Sequence, residues 1–209
     1  MTMRHRKNLM TGLYVDPHPV RAQENAEALA KNAQCGQLDE IHLFIEDSCC
    51  RLFDQRFKYH HVGKRTTFKQ YFAFANTRPG ELFIVSNSDI SFDHTLAMLD
   101  LFDWNDTLIC LTRSERHGIR RNPGLCKWMQ DAWIFRSPIK PFPCDWELGH
   151  IASDGRLANE AINAGMRVWN PYPLLRGWHH HVSKIRRKEK RMQIPGKGTL
   201  VPPGQIIVK

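Results

Sequence analysis

Short apolar runs punctuate this chain, and their spacing changes from one run to the next. Residues 8–16, NLMTGLYVD, read as a first, mostly buried strand. The following PHPVRAQENAEALAKNAQCG, 17–36, reads as a helix: Pro17 and Pro19 sit before it, Ala, Glu and Leu fill it, and Gly36 stops it. In LDEIHLFIED, 38–47, Ile41, Leu43 and Ile45 alternate in phase, which is the period of a strand. QRFKYHHVG reads as a short third strand. TTFKQYFAFANT, 66–77, carries Phe68, Tyr71, Phe72 and Phe74 close to helical spacing, a stripe that core packing accounts for. ELFIVSN, 81–87, is an unbroken apolar run between Gly80 and a polar turn, and reads as a strand. DHTLAMLDLF, 93–102, reads as a helix with Asp93 as its N-cap. DTLICLTR, 106–113, is another strand, 114–128 a surface loop, and QDAWIFRSP, 130–138, a short strand closed by Pro138. A helix over 152–165, ending at Gly165, precedes a last strand and turn in MRVWNPYP. Beyond GWHHHVSKIRRKEKR the periodicity is lost, and IPGKGTLVPPGQ reads as an extended tail.

Strands alternate with helices through the first half of the chain. That order predicts an α/β domain with a mainly parallel central sheet flanked by helices. Ligands in such sheets bind beyond the carboxyl ends of the strands, and residues 87–89 lie at one such end. No GxGxxG follows the first strand and no GxxxxGK[ST] occurs, which argues against those two nucleotide-binding solutions.

Length and composition add bounds. The 209 residues fit one domain with an appendage, and 42% apolar residues suffice for a packed core. No apolar run approaches the ~20 residues that span a bilayer, and the basic start MTMRHRKNLMTGLYVD lacks the apolar region and cleavage site of a leader. The expectation is a soluble, cytoplasmic protein, in the host cytoplasm if it is viral. The six cysteines form no CxxC pair, which favours buried thiols over zinc or disulfides. The net charge of +9 sits at the ends: +3 over residues 1–7 and +8 over 176–209, leaving −2 between them. We therefore divide the chain into a domain over 8–186 and a basic extended tail over 187–209. Basic ends attract polyanions such as nucleic acid or an anionic membrane, or simply keep a tail solvated.

Four polar clusters can carry chemistry. In SNSDISFD, Asn87 and Asp89 are two apart and would share a side if the strand geometry persisted. A hard divalent cation takes such carboxylates together with phosphate oxygens, although a polar turn with Asp93 as a cap explains the same residues. In MQDAWIF, Asp131 opens an apolar strand, where a lone carboxylate can also be a cap. In HIASDGRLANEA, Asp154 stands at a helix N-terminus with Arg156 two residues on. It reads as an N-cap, or as a carboxylate held anionic for use as a base. In WHHHVSK, His179 and His181 alternate onto one face of an extended segment, fit for a metal, a phosphate or the surface. Zinc is disfavoured, because no Cys or further His stands at a suitable spacing.

The order of these clusters is more informative than each alone. NSDI at a strand end, the QDAWIF strand, SDGR opening a helix and HHHVS near the domain end together resemble nucleotide-sugar-dependent glycosyltransferases with the GT-A fold. RAQENAEALAKN and IHLFIED also look like that group's first helix and second strand, so the resemblance covers roughly residues 10–186. Asn87 stands where the group's DxD motif has its first Asp, and ASDGR stands where the group shows GCDNR. The resemblance implies a Mn²⁺ or Mg²⁺ cofactor held by Asp89, His179 and His181, and a nucleotide-sugar donor, a UDP-sugar by expectation. It implies donor-binding roles for Arg21, Arg65, Asn87, Ser88, Asp89 and Arg156. It implies that Asp131 orients donor or acceptor and that Asp154 acts as base. Arg21 has a plainer alternative, a first-turn salt bridge to Glu24. The basic flank of Lys184, Arg186, Arg187, Lys188, Lys190 and Arg191 suggests a polyanionic acceptor, such as DNA with hydroxymethylated bases of the kind bacteriophage enzymes modify. A glycan or lipid-linked acceptor is the alternative. A non-catalytic nucleic-acid-binding module and a metal-dependent phosphoesterase are the competing classes. The first leaves the ordered Asp positions unexplained, and the second wants a denser carboxylate cluster than this.

Overall fold

The computed structural model describes residues 4–46, 56–115, 129–183, 185 and 192–204. Among them a nine-stranded sheet runs through the molecule. Strand β1 (Lys7–Leu13) lies between β2 (Glu40–Ile45) and β4 (Leu82–Ser86), with β3 (Phe57–His61) at the edge beyond β2, and these four are parallel. Beyond β4 the sheet reverses: β7 (Gln130–Arg136) is antiparallel to β4 on one side and to β6 (Thr107–Glu115) on the other. The outer edge of β6 carries β8 (Arg167–Trp169) and then β9 (Gly177–His179), both parallel to it. Strand β5 (Ile90–Phe92) closes the order by pairing antiparallel with β9.

The sheet is therefore mixed rather than mainly parallel. A parallel return needs a crossover connection, usually a helix, and the pattern predicts no helix between β6 and β7. The loop expected over 114–128 lies, from residue 116 on, outside the described residues.

The apolar runs are unbroken because both faces of the central strands are covered. Along β1, β4 and β7, side chains alternate between two cores. Leu9, Ile84 and Ile134 join Leu29 and Ala33 of helix α1 (Pro19–Gln34) on one face. Met10, Phe83, Val85, Trp133 and Phe135 join Phe68, Tyr71 and Phe72 of helix α2 (Phe68–Asn76) and Leu157, Ala158 and Ala161 of helix α3 (Ser153–Asn163) on the other. Full burial of each large side chain contributes roughly 1.5–3 kcal/mol. The aromatic stripe on α2 is core, as its spacing predicts. Thr67 and Gln70 form a capping box that fixes where α2 begins.

Residues 94–101 form a 3-10 helix rather than an α-helix. Leu96, Leu99 and Phe102 are three apart and all fully buried, so a turn of three residues stacks them on one face. Asp93 caps it, accepting from the Thr95 N–H at 2.8 Å. Cys35, Cys110 and Cys144 are buried free thiols. No helix among the described residues is long and apolar enough to cross a membrane.

Residues 192–204 pack against the body. Ile194 and Val201 are buried, and the Thr199 N–H donates to the Gly155 carbonyl at 2.8 Å. Gly155 permits that approach, because a Cβ there would lie 3.3 Å from the Thr199 carbonyl oxygen. The basic run at Lys184, Arg186, Arg187, Lys188, Lys190 and Arg191 lies outside the described residues.

Candidate functional site

A cleft of about 320 Å³ opens beyond the carboxyl ends of the parallel strands. Its lining gathers Arg21, Arg65, Asn87, Ser88, Asp89, Asp131, His179 and His181 from segments far apart in the sequence. Sheet register explains the convergence. Ile90 pairs with His179 across the antiparallel β5–β9 ladder, and the His180 N–H donates to the Asp89 carbonyl at 2.9 Å. His179 also lies in register with Glu115 at the end of β6. Two strands thus deliver an imidazole between two carboxylates: Nε2 is 3.4 Å from Asp89 Oδ2, and Nδ1 is 3.2 Å from Glu115 Oε2. His181 Nδ1 reaches within 3.9 Å of Asp89 Oδ2. The intervening His180 points away and meets Ser91 Oγ at 2.8 Å.

The chain turns immediately after Ser86, closed by the Ile90 N–H donating to the Asn87 carbonyl at 3.2 Å. Strand geometry does not persist to Asp89, so Asn87 and Asp89 part company. Asn87 lies opposite Asp131 and its Nδ2 donates to Asp131 Oδ1 at 2.7 Å. Arg113 Nη1 takes the other oxygen, Oδ2, also at 2.7 Å. Both oxygens of Asp131 are therefore engaged.

Arg21 is buried and does two things at once. It pairs with Glu24 at 2.7 Å, the local salt bridge expected of a first turn, and with Asp89 at 3.1 Å. Glu24 in turn accepts the backbone N–H groups of Val182 and Ser183 at 2.8 and 2.7 Å. The first helix thus anchors the segment that carries His179 and His181.

Electrostatics follow from these contacts. Burial works to neutralise Asp89, but hydrogen bonding and charge from His179 and Arg21 outweigh it and hold the carboxyl well below the usual range. Burial likewise works to strip the proton from His179, yet its two carboxylate partners raise it to about 9. His181 is lowered, by burial first and then by the Arg21 charge.

Asp89, His179 and His181 present ligand atoms that all lie within 4.8 Å of one another. His181 Nε2 is buried and has no hydrogen-bond partner among the described residues. One carboxylate, two imidazoles and an orphaned ring nitrogen fit a divalent cation.

Two expected residues are not part of the cleft lining. Asp154 follows the observed N-cap, Ala152, and accepts from Ser153 Oγ at 3.0 Å. Arg156 pairs with Glu160 at 2.8 Å and packs against Gly196 of the C-terminal segment. The cleft also contains residues that sequence reasoning missed. Arg113 lines it from the end of β6, and Glu115, two residues on, stands behind His179; the period-2 rule could have found both. Tyr14 also lines it, from just past the end of β1, as do Glu147 and His150 from a stretch without periodicity.

No protein-family model matches the sequence, and no curated protein sequence matches it. The fold does have solved counterparts. A mannosyltransferase from Pyrobaculum calidifontis, in complex with GDP-mannose and Mn²⁺, is similar over 88% of this chain with a TM-score of 0.57 and 14% identity. TarS from S. aureus is similar over 83% at 0.55 and 12% identity. Its 1–349 form in complex with UDP-GlcNAc is similar over 89% at 0.53 and 10% identity. This chain spans 59%, 36% and 60% of those three chains, respectively. The fold is similar to that of GT-A glycosyltransferases.

Proposed function

We propose that this protein is a glycosyltransferase that moves a sugar from a nucleotide-sugar donor to a hydroxyl acceptor with the help of a divalent cation. The observation that carries this reading is the Asp89–His179–His181 cluster, sitting in a cleft beyond parallel strand ends and flanked by Arg21 and Arg65. The fold likeness to proteins solved with GDP-mannose and Mn²⁺ or with UDP-GlcNAc supports it.

Asp89, His179 and His181 would hold the cation, and the imidazole content of the set suits Mn²⁺ better than Mg²⁺. When bound, it supplies Lewis-acid neutralisation of the charge gathering on the departing diphosphate. The chain's own residues do the rest. Arg21 keeps Asp89 ionised and aimed. Arg65 and Ser88 line the cleft where an anionic donor binds. Arg113 and Asn87 fix Asp131 as a rigid acceptor of hydrogen bonds rather than a mobile base. Glu115 orients His179 from behind, the outer support that sets which ring nitrogen faces the site.

The acceptor is a hydroxyl compound, and the basic run over residues 184–191 favours a polyanionic one such as DNA with hydroxymethylated bases. The test of the function is a panel of nucleotide sugars with Mn²⁺, read by thermal shift and by release of the nucleoside diphosphate. A selective donor raises the melting temperature with its concentration. If no donor stabilises the protein and none is turned over, the reading is wrong.

A further inference from the structure

We infer that Glu147 is the general base that deprotonates the attacking hydroxyl, with His150 as its positioning residue; this rests on the glycosyltransferase reading above. Four carboxylates line the cleft: Glu46, Asp89, Asp131 and Glu147. Asp89 belongs to the cation cluster and to Arg21. Asp131 has Asn87 on one oxygen and Arg113 on the other. Glu46 stands just past the end of β2, packed beside Gly12 and the Tyr71 hydroxyl. Asp154, the base expected from the sequence, is not among the lining residues.

Glu147 differs from all of these. Its backbone forms a bridge with Thr67, and the neighbouring Trp146 carbonyl accepts the Phe68 N–H at 3.0 Å. The residue is thereby fixed to the capped start of α2. Its side chain is 36% exposed, open to the cleft and to an incoming acceptor. Among the described residues its only hydrogen-bond partner is His150, whose Nε2 lies 3.1 Å from Oε2.

The tautomer of that imidazole follows from its other contact. The Met192 backbone N–H lies 3.2 Å from His150 Nδ1. A backbone N–H can only donate, so Nδ1 holds a lone pair and the ring proton sits on Nε2, facing Glu147. His150 therefore donates to Oε2 and leaves Oε1 to take a proton. The C-terminal segment supplies the Met192 contact, which gives its packing against the body a purpose in the site.

The step balances without another reagent. The acceptor O–H gives its proton to Glu147 Oε1. Its oxygen forms a bond to the anomeric carbon from the face opposite the diphosphate. The carbon–oxygen bond to the diphosphate breaks, and that electron pair leaves with the nucleoside diphosphate. The anomeric configuration inverts.

The experiment uses the full chain with Mn²⁺, GDP-mannose or UDP-GlcNAc as donor, and water as acceptor. Glu147→Gln should lower diphosphate release by about 10²–10⁴-fold while the donor-induced thermal shift stays as in the wild type. Glu147→Asp should recover part of the rate. The acid limb of the pH–rate profile should vanish in Glu147→Gln. In His150→Phe diphosphate release should fall with the donor-induced thermal shift unchanged, and His150→Gln, whose amide can donate to the same carboxylate, should recover part of the rate. The sugar first released should carry the inverted anomer. Glu147→Gln turning over at the wild-type rate, or a retained anomer, overturns the assignment and leaves the glycosyltransferase reading standing. A wild-type protein that neither binds nor turns over any donor overturns both.

Discussion

Two pairs of histidines are packed into this protein, and the burial that lowers three of the rings is overridden in the fourth, His179. His42 on β2 and His60 on β3 stack with ring centroids 5.2 Å apart, among Phe44, Phe74 and Phe83. His42 Nε2 lies 3.0 Å from Arg78 Nη1 and must accept, so Nδ1 donates to His60 Nε2 at 3.0 Å. Burial, then His60 and Arg78, push His42 down to about 4. It is a neutral core group with both nitrogens used. His179 is similarly buried, yet it is raised to about 9 because Asp89 and Glu115 flank it. His181 beside it keeps an orphaned nitrogen. Buried imidazole alone therefore does not mark a site. Glu40 lies 3.3 Å from His42 as well, so what marks a site is carboxylates that outweigh burial, together with an unfilled donor position.

The contrast breaks most severely at Asp89. Asp89→Asn leaves the Arg21 guanidinium and the His179 imidazole buried without their shared counter-charge. A loss of about 3–5 kcal/mol in unfolding free energy is expected, measured by urea denaturation. Mn²⁺-dependent donor binding should vanish in calorimetric titration, with transfer down by at least ~10²-fold. Unchanged titration would remove Asp89 from the cation set.

The other half of the contrast is a pH effect. His42 has a folded-state value near 4 and an unfolded value near 6.5. Between those values the unfolded chain binds the extra proton, so stability is complete above about pH 6.5 and is lost as pH falls towards 4. The loss is on the order of 3 kcal/mol. His60 is lowered in the same direction, by burial, and steepens it. Unfolding midpoints between pH 7 and pH 4.5 should show this slope. His42→Gln should flatten it, whereas Asp89→Asn should not.

How far the sequence revealed all this depends on where the signal is stored. β1, β2, β4 and β7 were legible because each is a run of five or more residues with apolar side chains on both faces. β5 and β9 were not: each has three residues, too few for a period, and they exist because they pair with one another across 87 residues of chain. Sheet direction was misread because alternation of elements reports the presence of helices, not the return path between β6 and β7. In the site, Asp89 stood out at a strand end, and His179 and His181 as alternating imidazoles on one face of an extended segment. Glu115 and Arg113 were hidden at the end of an apolar strand expected to stop at 113. Glu147 and His150 occupy a stretch whose conformation is set by bonds to Thr67 and Met192, distant residues that no local pattern reports.

Asn87 gives the subtlest test of the idea that carboxylate count decides what a cleft residue does. It holds the place where a DxD motif would have Asp, but its Nδ2 is 2.7 Å from Asp131 Oδ1. Only the amide nitrogen can donate there, so the chemistry of the contact fixes the amide's orientation. Asn87→Asp would set two carboxylates against each other, and one must then hold a proton or both must move apart. The expected cost is about 1–3 kcal/mol at pH 8, shrinking as the pH is lowered and a shared proton restores the bond. The exchange Asn87→Asp with Asp131→Asn should recover part of that loss, and the coupling energy of the four-variant cycle measures the contact directly. If Asn87→Asp is instead as stable as the wild type at pH 8 and binds Mn²⁺ more tightly, position 87 faces the cation. The amide would then be a weakened metal ligand rather than the clamp that holds Asp131.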